Sequence, residues 1–187
     1  SLSLDCFNLG IPLETVVLTL AETTFEKLES LYFNAKFTSD KKTIFESNNH
    51  IHPMVTNNQL KFDKMPLLKE LTVRSNYSSF NSGANWFHWL MNLSSLENCK
   101  VEAETTVSFC NDKMAKNLKK LTLSGECLVD KNELVNLLHK ATMLQSIALI
   151  KITEKSKKLT YFELATILLD TIMQVQYERE EYPSVTL

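Results

Sequence analysis

The chain has 187 residues, 44% of them hydrophobic, with a formal net charge of −2. That is enough apolar material for a single domain over residues 1–187 with its own core, and too little positive charge for a general pull toward nucleic acid. Arg74 and Arg179 are its only arginines, and Gly10, Gly83 and Gly125 its only glycines, so neither a guanidinium-rich phosphate reader nor a glycine-rich phosphate loop can be assembled.

Taken in order, Leu2-Ser-Leu4 reads as strand and Asn8 to Pro12 as a turn. Leu13-Glu-Thr-Val16-Val-Leu18 and Leu28-Glu-Ser-Leu31-Tyr-Phe33 then share an L-x-x-L-x-L spacing, Val standing in for the second Leu in the first of them. Val16 and Leu31 are only 15 residues apart, which predicts either tight units with no helix between them or a local hairpin. From Lys36 to Phe62 the pattern loosens, with a short helix capped by Ser39 and a polar loop from Asn48 to Asn58 around Pro53. Leu68-Lys-Glu-Leu71-Thr-Val73 restores the spacing. Trp86, Trp89, Leu90 and Leu93 follow at helical intervals, then Leu96-Glu-Asn-Cys99-Lys-Val101.

The clearest stretch is Leu118-Lys-Lys-Leu121-Thr-Leu123. In an extended segment Leu121 and Leu123 point to one side, with Thr122 and Ser124 to the other. A polar turn from Ser124 to Asp130 leads to a helix over Asn132–Ala141, with Asp130 and Glu133 spaced as a capping box and Leu134, Leu137, Leu138 and Ala141 forming its apolar face. Leu144-Gln-Ser-Ile147-Ala-Leu149 repeats the strand signature. Lys151 to Lys158 reads as a solvated lysine-rich loop. Thr160 to Gln176 is the longest helical pattern, with Tyr161, Leu164, Ala165, Leu168, Ile172 and Val175 on its apolar face. An acidic turn from Glu178 to Glu181 precedes a last strand, Val185-Thr-Leu187.

The equivalent positions Val16, Leu31, Leu71, Cys99, Leu121, Ile147 and Val185 are spaced 15, 40, 28, 22, 26 and 38 residues apart. A short strand and a three-turn helix cannot each bury an apolar face alone, but stacked copies close a continuous core. The expected fold class is α/β: a leucine-rich-repeat solenoid with a parallel concave sheet, outer helices and irregular repeats. The strand-like ends predict that the chain is flanked on both sides by the rest of a longer parent chain.

The stretch from Leu118 through Ser124-Gly-Glu-Cys127-Leu-Val-Asp130 to Glu133-Leu-Val-Asn-Leu-Leu138 resembles the repeat of F-box/leucine-rich-repeat proteins. It departs from that pattern where Glu126 separates Gly125 from Cys127 and where Val129 stands in place of Thr. The ribonuclease-inhibitor-like repeats of NLR-type sensors are similar. Both resemblances imply a recognition surface rather than an enzyme: the substrate-receptor region of a ubiquitin-ligase adaptor or, alternatively, the sensing or autoinhibitory region of an innate immune sensor.

The four cysteines, Cys6, Cys99, Cys110 and Cys127, form no C-x-x-C pair. Cys99 occupies a core-leucine position and reads as a buried thiol, which suits a reducing, cytoplasmic or nuclear setting. The sequons Asn76-Tyr-Ser and Asn92-Leu-Ser leave an extracellular receptor ectodomain as the competing reading. No apolar run approaches a membrane span.

Residues alternating with the core positions are the candidate partner-binding set: Tyr32, Asn34, Thr72, Arg74, Lys100, Glu102, Thr122 and Ser124, flanked by Val17, Thr19, Ala148 and Ile150. Tyr32 and Arg74 are the preferred contacts, because these residue types dominate interface hot spots. His50-Ile-His52 lacks a third ligand and reads as loop. Trp86-Phe-His-Trp89 reads as core packing, and no strained nucleophile elbow is present. The sequence thus predicts no catalytic residues, cofactor, metal, nucleic-acid or membrane partner, and one protein partner on the concave face.

Overall fold

A computed structural model describes residues 1–5, 23–34, 65–75, 93–103, 106–107, 114–125, 127–154, 159–177 and 184–186. The chain is α/β. Among the described residues, seven strands form one parallel sheet: β1 (Leu2–Asp5), β2 (Ser30–Asn34), β3 (Glu70–Ser75), β4 (Asn98–Ala103), β6 (Lys120–Ser124), β8 (Ser146–Leu149) and β10 (Ser184–Thr186). Their spatial order is their chain order, so each new strand is added at the same edge. Three two-residue strands among the described residues, β5 (Thr106–Val107), β7 (Leu128–Val129) and β9 (Thr153–Glu154), make a second parallel sheet, again in chain order. Helix α1 (Lys131–Lys140) lies between β7 and β8, and α2 (Tyr161–Tyr177) between β9 and β10.

The register explains the leucine pattern. Leu2, Leu31, Leu71, Cys99, Leu121, Ile147 and Val185 are consecutive partners across the sheet, and Leu4, Phe33, Val73, Val101, Leu123 and Leu149 form a second row two residues on. Phe33, Val73, Val101, Leu123 and Leu149 are fully buried. Period-two alternation therefore puts both rows on one face.

A third row plugs the turns before the strands. Leu68, Leu96 and Leu118 are fully buried, and each such side chain removed from water contributes about 1.5–3 kcal/mol. The turns are equivalent: the N–H groups of Leu28, Leu68, Leu96 and Leu144 donate to the carbonyls of Phe25, Met65, Leu93 and Ala141 at 3.1–3.3 Å. One carbonyl after each plug then accepts two N–H groups from the next copy. Glu29 O takes Lys69 N and Glu70 N; Lys69 O takes Glu97 N and Asn98 N; Glu97 O takes Lys119 N and Lys120 N; Lys119 O takes Gln145 N and Ser146 N, all at 2.7–3.1 Å. A carbonyl has two lone pairs, and here both are used.

Asp130 caps α1 as the D-x-x-E spacing predicts, its Oδ1 accepting from Asn132 N at 2.9 Å and Glu133 N at 3.1 Å. Leu134, Leu137 and Leu138 bury the helix's inner face. At the start of α2, Glu163 reaches back to Thr160 N at 2.7 Å while Thr160 Oγ1 accepts from Glu163 N at 3.3 Å. This reciprocal capping box is not among the sequence-based expectations. Gly125, immediately after β6, has φ 84°, a conformation in which a Cβ would clash.

Four expectations need correction. The sheet neighbour of Leu31 is Leu2, not Val16. The anomalous short step therefore disappears from this sheet, and Val16 itself lies outside the described residues. The polar turn from Ser124 to Asp130 contains β7, and the stretch from Lys151 to Lys158 contains β9, with Glu154 buried. Tyr161 is not on the buried face of α2. It is 39% exposed, and its hydroxyl donates to Leu149 O at 3.1 Å.

Candidate interaction face

The alternate positions of the large sheet face outward. Ser3, Tyr32, Thr72, Lys100, Thr122 and Ala148 form one register row, and Asp5, Asn34, Arg74, Glu102 and Ser124 a second. All the candidate binding residues, from Tyr32 through Ser124, thus fall in two adjacent rows on one surface. Val17 and Thr19 lie outside the described residues. Ala148 is half-buried in its row. Ile150 is 41% exposed just beyond β8, where its N–H donates to Leu123 O at 2.8 Å.

The side chains over β1 to β4 are long and engage one another. Arg74 Nε donates to Glu102 Oε2 at 2.8 Å, and Lys100 Nζ stands 3.6 Å from the same oxygen. Glu102 and the Tyr32 hydroxyl raise the Arg74 pKa above its ordinary value, so the guanidinium is held between strands on either side. Asn34 Nδ2 donates to Asp5 Oδ1, and Asn98 Nδ2 to Glu70 Oε1, each at 3.3 Å. The two preferred contacts, Tyr32 and Arg74, belong to one cluster rather than acting as separate anchors.

One feature escaped the sequence reading. At the position two residues before the core leucine, Glu29, Lys69, Glu97 and Lys119 alternate in sign along the sheet. Lys69 Nζ lies 3.5 Å from Glu29 Oε1, and Lys119 Nζ 2.7 Å from Glu97 Oε2. The hydrogen bond from Lys119 lowers the Glu97 pKa, and the charges of Lys119 and Lys69 assist. Aligning the chain on Leu31, Leu71, Cys99 and Leu121 would have revealed this alternation.

Beyond β4 the face changes character. β6 and β8 present Thr122, Ser124, Ser146 and Ala148, all small, with Lys120 at the start of β6.

His50, His52, Trp86, Trp89, Asn76, Asn92 and Cys110 lie outside the described residues, and His139 is exposed in the last turn of α1. Among the described residues no group of three or more His, Cys, Asp or Glu could hold a metal ion, and no helix is long and apolar enough to cross a membrane. Cys99 and Cys127 are buried thiols, with Cys127 Sγ donating to Ser124 O at 3.2 Å.

Comparison of the chain with protein-family models, curated proteins and solved structures gives no match.

Proposed function

We propose that the chain is a leucine-rich-repeat solenoid serving as the protein-recognition module of a larger intracellular protein, with the outward face of its large sheet as the binding surface. The observation that carries this reading is the register. Strand order equals chain order, and every unit places its apolar residues on one side and its variable residues on the other. A row of backbone-fixed strands with interchangeable outward residues is a rigid platform on which contacts are set by side-chain choice alone. The resemblance around Leu118 to Leu138 supports, as the more specific version, the substrate-receptor region of an F-box-like ubiquitin-ligase adaptor.

The test replaces Tyr32 or Thr72, in the full-length protein in its host cell, by a photo-crosslinking amino acid. A partner cross-linked from these positions, and lost on a Tyr32→Ala plus Arg74→Ala double substitution, is the expected result. Cross-links obtained only from outward positions of α2, such as Phe162, would overturn the assignment of the face. Glycans on Asn76 and Asn92 in the native host would move the module to an extracellular receptor.

A further inference from the structure

The exposed face is electrostatically divided. The turns and strands over residues 25–34 and 65–75 carry both signs: Glu26, Glu29 and Glu70 with Lys27, Lys69 and Arg74. Residues 114–125, the turn before β6 and the strand itself, carry Lys116, Lys119 and Lys120 and not one carboxylate, and β8 (Ser146–Leu149) carries no charged side chain. Lys119 is committed to Glu97. Lys116 and Lys120 are exposed at the N-terminal end of β6, and among the described residues neither has a carboxylate partner. Beside them lies the small-residue surface of Thr122, Ser124, Ser146 and Ala148, where a chain can approach the sheet closely.

We infer that the β6–β8 half of the face seats an acidic segment of a protein partner. Its carboxylates meet Lys116 and Lys120, and its backbone lies over the small side chains. This rests on the recognition reading above and adds the partner's chemistry. Charge complementarity argues for it: the two exposed ammonium groups of Lys116 and Lys120 steer a negative partner into register and reject a positive one. A polypeptide fits better than a nucleic acid. The cations are point-charge ammonium groups, the one arginine of the face is held by Glu102, and no aromatic platform for base stacking stands beside them among the described residues.

The test titrates the intact chain with a ten-residue oligo-L-glutamate at low salt, followed by backbone amide NMR shifts. Saturable shifts centred on residues 116–124 and 146–149 are expected. The Lys116→Glu plus Lys120→Glu variant should bind at least about tenfold more weakly, and Lys27→Glu, at a turn of the mixed-charge half, should change affinity less than about twofold. Both lysines are exposed, so circular dichroism of the variants should match the parent. Absence of saturable binding, shifts centred on β2 and β3, or equal affinity for a single-stranded oligonucleotide of the same charge overturns the inference. If oligoglutamate fails but a cross-linked partner still depends on Tyr32 and Arg74, only the acidic-segment inference falls. If the partner ignores every outward substitution, the recognition reading falls with it.

Discussion

Arg74 on β3 and Glu102 on β4 are direct register partners, and their side chains close a 2.8 Å ion pair over the outward face. Exposed ion pairs of this kind contribute little to folding. Arg74→Ala should therefore leave the thermal midpoint nearly unchanged while lowering affinity for the face's partner at least about tenfold, as truncation of an arginine anchor does. Calorimetry and a binding titration on the same preparation separate the two effects. An unchanged affinity would remove Arg74 from the contact set.

Leu118 is fully buried at the turn leading into β6. Leu118→Ala removes a plug between neighbouring units and should cost about 2–5 kcal/mol. Urea denaturation followed by far-ultraviolet circular dichroism reads this directly. A loss smaller than about 1 kcal/mol would mean that the turn row is not a packed seam.

The N-cap of α1 depends on one carboxylate oxygen accepting two backbone N–H groups. Asp130→Ala should cost about 1 kcal/mol, and Asp130→Asn, which keeps the acceptor, much less. Equal losses in the two variants would indicate that the charge rather than the hydrogen bonding matters.

Burial pushes the Cys99 thiol up to about 12, with Cys127 nearby adding to the effect. The thiolate is the reactive form, so Cys99 should resist iodoacetamide in the folded chain near neutral pH and label readily in urea. Peptide mass spectrometry resolves that site from the others. Rapid labelling of Cys99 in the native state would contradict its burial.

Lys119 holds the Glu97 carboxyl below its ordinary value of 4.5. A depressed carboxyl contributes stability that is complete above the unfolded-state value and disappears as pH falls through the folded-state value. The gap in thermal midpoint between the parent and Glu97→Gln should therefore be largest near neutrality and shrink through the acid range below the ordinary value. A gap that does not vary with pH would show that the Lys119 contact is electrostatically idle.

The strands of the large sheet were legible because each unit states its structure twice, once in the alternating pair such as Leu121 and Leu123 and once in the plug three residues earlier. The helices were legible from Leu134, Leu137 and Leu138 and from Leu164, Leu168 and Ile172. Strands β7 and β9 were not, since Leu128-Val129 and Thr153-Glu154 are too short to show any period. Val16 is not the sheet neighbour of Leu31, since the pairing of Leu2 with Leu31 is a tertiary fact without a local trace. Tyr161 fits the apolar side of a helical wheel, yet at the helix start its hydroxyl finds a backbone carbonyl instead. The outward residues could be named from alternation alone. That Arg74 is clasped by Glu102 could not, because the contact depends on a register set between residues 28 apart.

The shared carbonyls of Glu29, Lys69, Glu97 and Lys119 have a consequence for how such a chain can change. Each unit grips the next through the short stretch that ends at its core residue, Met65 to Leu71 or Leu93 to Cys99. From one core residue to the next the chain runs for as few as 22 residues, from Cys99 to Leu121, or as many as 40, from Leu31 to Leu71, and the strands still meet in register. Insertions between grips are therefore absorbed without disturbing the outward face. One residue added inside a grip would slip a strand by a single position and exchange its inward and outward side chains. Length can drift almost freely in one part of each unit and scarcely at all in the other.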